Sequence, residues 1–263
     1  MAPEPVRVEM RDAVALVVFD DPERRNAMTE AMGRALTNVM ARISADSAVR
    51  AVVLTGAGAA FSAGGDLAML EDKSRAGRAE PGEAARARNR AFMRDFYGLF
   101  LSVRDLPCPS IAAIQGAAIG AGLAVALACD LRIAARDAKL GIHPGMGSSW
   151  TLPQLVGPAH AADLLLSGRI IDGDFAERIG LVNRAVPRDT VLATALALAD
   201  EIASCAPIAV RGAKRALAQA NAVTLEEQLD FEAEQQAVCY ESADFAEGLC
   251  AAREKRSPHF EGR

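Results

Sequence analysis

Two glycine-rich stretches hold the residue types best suited to bringing bare backbone up to a ligand: Gly56-Ala57-Gly58-Ala59-Ala60-Phe61-Ser62-Ala63-Gly64-Gly65-Asp66 and Gln115-Gly116-Ala117-Ala118-Ile119-Gly120-Ala121-Gly122. Each follows a short apolar run (51–54 and 111–114) that reads as a strand, and each leads into a segment that can be helical. Two strand-to-helix turns stripped of side chains can aim backbone N–H groups at one ligand oxygen. The chemistry this suits is stabilisation of a carbonyl that acquires negative charge. The competing reading is that the glycines only let strands and helices pack closely.

Such turns need strands before them and helices behind them. Residues 6–10 and 13–19 flank Arg11-Asp12 and read as a hairpin. Residues 26–44 repeat apolar side chains at helical spacing, with Met28, Met32, Leu36, Val39 and Met40 near one face. A strand over 49–54 runs into the first glycine turn. Residues 72–92 change character, with Lys73, Arg75, Arg78, Glu80, Glu83, Arg86, Arg88 and Arg90 around Pro81-Gly82. That segment is either a mobile loop over a pocket or a solvated helix. A helix over 92–103, a strand over 111–114, a helix of small residues over 120–129 and a strand over 131–134 follow. Repeated strand–turn–helix units imply layered α/β structure with right-handed crossovers. After Thr190 the strand signals vanish, and 191–204, 208–220, 225–238 and 243–255 read as helices. The expected organisation is an α/β core over 1–190 and a helical extension over 191–263. The apolar face Val191, Leu192, Ala195, Leu196, Leu198 and Ile202 exceeds what a lone extension could bury, which points to self-association.

With 263 residues, 51% hydrophobic and 24% charged, the chain can bury a substantial core of ordinary globular character. A formal net charge of −5 weighs against a general nucleic-acid binder, which is usually basic. No apolar run approaches bilayer-spanning length, and Met1-Ala2-Pro3-Glu4-Pro5 lacks the basic and apolar regions of a signal peptide. Five cysteines (Cys108, Cys129, Cys205, Cys239 and Cys250) are odd in number and show no metal-ligand spacing. Mostly buried thiols in a reducing cytoplasm are expected.

The two turns, in this order, resemble the crotonase (enoyl-CoA hydratase/isomerase) superfamily. Asp21-Pro22-Glu23-Arg24-Arg25-Asn26-Ala27-Met28 is similar to that family's early R-x-N-A-type turn, and Ala128-Cys129-Asp130-Leu131-Arg132-Ile133-Ala134 to its strand after the second turn. Pro144-Gly145-Met146-Gly147, Ala176-Glu177-Arg178-Ile179-Gly180-Leu181-Val182-Asn183 and Glu254-Lys255-Arg256-Ser257-Pro258-His259-Phe260 extend the likeness over about residues 6–261. The resemblance implies a crotonase-type ββα spiral core, a C-terminal trimerisation region, and a homotrimer or dimer of trimers. It implies an enzyme acting on acyl-CoA thioesters, nominally by hydration of a 2-enoyl-CoA. Coenzyme A is then part of the substrate, with no separate cofactor and no metal. Carried over by position, the oxyanion hole uses the N–H groups of Gly65 and Ala121. Many relatives have glycine at the second position, but a main-chain donor tolerates alanine at ordinary φ/ψ. Coenzyme A would enter past Arg24, Arg25, Asn26 and Ala27 and the segment Ala63, Gly64, Gly65, Asp66, Leu67 and Ala68. Arg24 or Arg25 either adds a phosphate contact or is a surface arginine. Asp66 reads as a helix cap or first-turn acid rather than a catalyst.

The hydratases of this family use two glutamates, and neither has a counterpart here. The first position is Ala124; the second falls in Ala138-Lys139-Leu140-Gly141-Ile142-His143, a segment several residues shorter than usual, with no acid between Asp137 and Pro144. A chain that short departs from the family's usual path, so either the site is remodelled or residues are missing from the sequence. His143 is the nearest titratable group, and an imidazole, with an unperturbed pKa of about 6.5, suits proton transfer. The alternative is a turn histidine packing beside Pro144. Met146 and Trp150 are expected to pack in the core or line the acyl pocket.

Overall fold

A computed structural model describes residues 4–263; Met1 to Pro3, part of the stretch read for a signal peptide, lie outside them. The hairpin forms as expected, β1 (Val6–Arg11) pairing antiparallel with β2 (Val14–Phe19) around Asp12 at φ 49°. From β2 onward a six-stranded sheet grows by parallel addition, in the order β1-β2-β3-β5-β7-β9, with β3 (Ala51–Gly56), β5 (Ser110–Ile114), β7 (Leu131–Ala135) and β9 (Arg184–Val186). Every residue of β2, β3 and β5 is buried. Parallel strands covered on both faces read as unbroken apolar runs, which is why their sequence signal is strong.

A second sheet, β4-β6-β8, is built from β4 (Ala60–Ser62), β6 (Ala117–Ile119) and β8 (Leu140–Gly141), again parallel. Each of its strands follows one of the large sheet: β3 then β4, β5 then β6, β7 then β8. The helices α2 (Leu67–Ala79), α4 (Ala121–Ala128) and α5 (Ser148–Ser167) come next in turn. Three ββα units therefore wind through the two sheets, and the glycine turns lie where β4 and β6 hand over to helices.

The helix expected from Asn26 begins later, as α1 (Glu30–Ala45), because Thr29 caps it by accepting from Met32 N at 3.1 Å. Residues 72–92 form the end of α2 and the start of α3 (Glu83–Leu101), broken at Pro81-Gly82, so the helical reading holds. A short α6 (Gly173–Arg178) precedes β9. The C-terminal helices are α7 (Val191–Ala203), α8 (Pro207–Gln219), α9 (Leu225–Tyr240) and α10 (Ala243–Glu254).

One expectation needs correcting. The apolar face of α7 is used within the chain, against β2, β3, β5 and β7, with Val191, Ala195, Ala199 and Ala203 buried and Leu192, Leu196, Leu198 and Ile202 packed at the margin. A division at 190/191 thus cuts through the core layer, and the helices lying off the sheet start with α8. Only two cysteines, Cys108 and Cys129, are buried. Cys205 and Cys250 are exposed and Cys239 half-buried, because all three lie in the outer helices or at their edge. Among the described residues no single helix is long and apolar enough to cross a membrane.

Candidate active site

Beyond β4 the chain turns through Ala63, Gly64 and Gly65 into α2. Gly64 sits at φ +92°, and a Cβ there would stand 2.5 Å from the carbonyl oxygen of Ile119 and 3.6 Å from the nitrogen of Ala121. This is the point at which the first glycine turn touches the second, and only glycine permits the approach. The turn's other side is stitched to residues 25–28. Met28 N donates to Gly64 O (2.7 Å), Asp66 N to Met28 O (3.2 Å) and Ala63 N to Arg25 O (2.9 Å). In such a parallel bridge the residue between the two bonded groups directs its own N–H the other way. The N–H of Gly65 accordingly meets no acceptor among the described residues.

The second donor is free for a different reason. Gly120, at φ 54° and ψ −116°, gives its N–H to Gly141 O at 2.7 Å and turns the chain into α4. Ala121 is the first residue of that helix, so its N–H has no intrahelical partner. Gly122 then lets α4 rest on the end of β4, since a Cβ there would stand 2.7 Å from Ser62 O and 2.8 Å from Ser62 Cβ. The free N–H groups of Gly65 and Ala121 are thus carried by turns in contact. Ala121 is buried and lies at the positive end of a helix dipole.

Polar side chains beside the turns hold this arrangement. Asn26 is fully buried at φ 55°. Its Nδ2 donates to Ala57 O (3.0 Å) and Ala60 O (2.8 Å), and its Oδ1 accepts from Asp21 N (2.9 Å). Ser62 Oγ donates to Asn26 O (2.7 Å) and accepts from Gly64 N (3.1 Å). Gln115 Nε2 donates to Gly56 O (2.5 Å) and Ala60 O (2.9 Å), tying the two strand ends together. Each stands inside or beside a motif quoted above, but its role depends on long-range partners that spacing does not reveal.

The sequence profile of the enoyl-CoA hydratase/isomerase family matches residues 9–263. The chain belongs to that family. It is 32% identical over 268 residues to a crotonyl-CoA hydratase of Syntrophomonas wolfei, covering 99% of each. The crystal structure of an enoyl-CoA hydratase from Bacillus anthracis is similar at 34% identity and TM-score 0.87, covering 98% of this chain and 100% of that one. One from Polaromonas sp. JS666 is similar at 29% identity and TM-score 0.88, over 97% and 99%. The spiral of the two sheets is the crotonase fold.

The other residues expected at this family's substrate mouth converge on the same turns. Arg24 and Arg25 are exposed, Ala27 is buried, and Ala63, Leu67 and Ala68 are exposed along the rim. The Arg24 guanidinium is bound to Asp21 (Nε to Oδ2, 2.8 Å), which raises its pKa, and lies 3.8 Å from Asp66. Asp66 caps α2 by accepting from Met69 N at 2.9 Å, as expected.

Neither acid position holds a carboxylate. Ala124 is buried inside α4. The short segment before Pro144 closes as β8: Lys139 O accepts from Ala118 N (2.9 Å), and Leu140 pairs its N–H and C=O with Ile171 (2.9 Å each). The chain thus runs from β7 through β8 to Pro144 with no carboxylate after Asp137. Asp137, just ahead of it, is exposed and bound to Arg188 at 2.8 Å, which holds its carboxyl below the usual range. His143 follows, exposed, beside Gly120. Met146 is buried as expected, whereas Trp150 is 59% exposed and stacks on Arg104 rather than packing in the core. A cavity of about 700 Å³ between residues 104–107 and helices α8 and α9 shares no lining residue with this site.

Proposed function

We propose that this family member binds acyl-CoA thioesters with the thioester oxygen between the N–H groups of Gly65 and Ala121, and that these donors stabilise the enolate. The observation that carries the reading is two uncommitted N–H groups on glycine turns in contact, one at a helix N-terminus. Donors preorganised in this way are worth several kcal/mol, about 3–4 for a single one. Coenzyme A runs past residues 24–27 and 63–68. Arg25, whose guanidinium makes no ion pair among the described residues, is freer than Arg24 to meet phosphate.

The family's nominal reaction, hydration of a 2-enoyl-CoA, also needs one group to activate water and another to deliver a proton. Losing a positioned acid or base typically costs 10²- to 10⁴-fold. Ala124 and the acid-free segment before Pro144 therefore favour a second reading, in which the chain is a non-catalytic acyl-CoA binder or an isomerase with a displaced base. Calorimetry with acyl-CoA thioesters of several chain lengths, run beside the enoyl absorbance of crotonyl-CoA, separates these. Binding with hydration supports the nominal reaction, and binding without it supports the second reading. No binding overturns the oxyanion-hole reading.

The proposed assembly is a homotrimer or dimer of trimers. Its support is α9, which buries none of its residues and exposes Leu225, Leu229, Val238 and Tyr240. The proposed location is the cytoplasm, on the free thiols.

A further inference from the structure

Between helices α8 and α9 and the turn at Arg104 and Asp105 lies the cavity of about 700 Å³, a size that takes a small organic ligand. Cations crowd it. One face of α8 contributes Arg211, Lys214 and Arg215, and the turn contributes Arg104. Lys214 is committed already, donating to Asp130 Oδ2 and Cys108 O at 2.9 Å each. The three guanidiniums have no carboxylate partner among the described residues, yet two of them are firmly placed. Arg104 lies over the Trp150 ring, 5.2 Å from its centroid. Arg215 lies over the Phe231 ring at 5.6 Å and donates to Gln235 Oε1. Arg211 makes only a long contact, 3.4 Å, to Ser47 O. Neutral partners of this kind orient a guanidinium and leave its charge uncompensated. One carboxylate, Asp105, shares the lining and also makes no ion pair among the described residues. With Lys214 neutralised by Asp130, three cations meet one anion here, in a chain whose formal net charge is −5.

We infer that this cavity is a second binding site, for an organic polyphosphate of nucleotide size, with the phosphates on Arg104, Arg211 and Arg215. A guanidinium fork meets two phosphate oxygens at once, and a ligand with two or more negative charges matches the surplus of cations. Inorganic phosphate alone would leave most of the volume unfilled. The rest of the lining is apolar, from Leu106, Pro107, Ile208, Ala218 and Val238, and it takes the ligand's uncharged body. Gln235 spends its Oε1 on Arg215, and its Nε2 meets no acceptor among the described residues, so it remains a donor for the ligand. No residue of 24–27, 63–68 or 115–122 lines the cavity, so this site is separate from the proposed coenzyme A mouth and does not depend on the oxyanion-hole reading. A ligand held here bridges the turn ahead of β5 to α8 and α9, and thereby stabilises the docking of those two helices.

The experiment titrates ATP into the full chain by calorimetry, with pyrophosphate and adenosine as its charged and uncharged halves. ATP is expected to bind, more tightly than pyrophosphate, with adenosine silent and the affinity falling as salt is added. Saturating ATP should also raise the melting temperature. Arg211→Gln and Arg215→Gln should each weaken ATP binding by about 10- to 100-fold. Asp105→Asn should tighten it, a change of sign that no folding defect mimics. Arg25→Ala, at the proposed coenzyme A mouth, should leave the ATP affinity where it was. Adenosine binding as well as ATP, or an ATP affinity that ignores both arginine variants, overturns the assignment. An affinity that falls in Arg25→Ala overturns it too, by moving the nucleotide to the coenzyme A mouth. ATP that binds no tighter than pyrophosphate overturns the part given to the apolar wall. Absence of ATP binding overturns the whole, and a smaller species in sedimentation of Arg211→Gln would then make the cavity a contact between copies of this chain.

Discussion

Asn26 and Ala121 show what single residues decide here. Asn26 joins three backbone groups from residues 21, 57 and 60 while sitting in a left-handed conformation that asparagine tolerates and alanine does not. Asn26→Ala leaves buried carbonyls unpaired, so denaturant unfolding should show a loss of about 2–4 kcal/mol, with weaker acyl-CoA binding. Ala121→Pro is a sharper probe. Proline is well tolerated at the first position of a helix, and Gly120 ahead of it is free of Cβ clashes. The fold should survive, while loss of the N–H should lower turnover by about 10²- to 10³-fold, or weaken acyl-CoA binding if the chain only binds. Unchanged function in a folded Ala121→Pro would remove Ala121 from the hole. The family resemblance, carried over by position, pointed to Gly65 and Ala121, but spacing showed nothing of the bracing by Asn26 and Gln115, whose strand partners lie 31 to 60 residues away.

At the scale of elements, the contact of α4 with the end of β4 sets how closely the two glycine turns approach, and with it the width of the proposed oxyanion hole. Gly122→Val would drive a Cβ to within 2.7 Å of Ser62 O and lift the helix off the strand. Overpacking of this kind typically costs 1–3 kcal/mol, and thermal unfolding should show it together with lost acyl-CoA affinity. The large sheet was legible because β2, β3, β5 and β7 are apolar runs bounded by turn residues. The small sheet was not, because strands of two or three residues carry no period. The role of α7 was misjudged for a related reason: an apolar helix face has the same pattern whether it meets a sheet or another subunit. The α9 helix, with no buried residue, offers its exposed apolar side chains to the proposed assembly.

Over the whole molecule, the C-terminal tail is clasped to α10 and to the core. Arg256 binds Glu247 through both terminal nitrogens (2.6 and 2.8 Å), His259 N donates to the same carboxylate (2.7 Å), and Arg50 Nη2 donates to Phe260 O (2.6 Å). The hydrogen bonds from Arg256 and then from His259 N–H pull the Glu247 carboxyl from 4.5 to about 2. A carboxyl held below its unfolded value stabilises the fold above that value, and the contribution fades as pH falls from about 4.5 toward 2. In that window the melting temperature of Glu247→Gln should fall less steeply than that of the wild type. Light scattering at micromolar concentration should find an oligomer, and Leu229→Glu on α9 should shift it toward monomer. The central claim, a thioester oxygen held by two backbone N–H groups, is tested most directly by isotope-edited infrared spectroscopy of a bound acyl-CoA labelled at the thioester carbonyl. Two hydrogen bonds from preorganised backbone donors weaken the C=O bond, so the account predicts a carbonyl stretch lower than in water, moving back toward the aqueous value in Ala121→Pro. A bound carbonyl that vibrates at its aqueous frequency would contradict it.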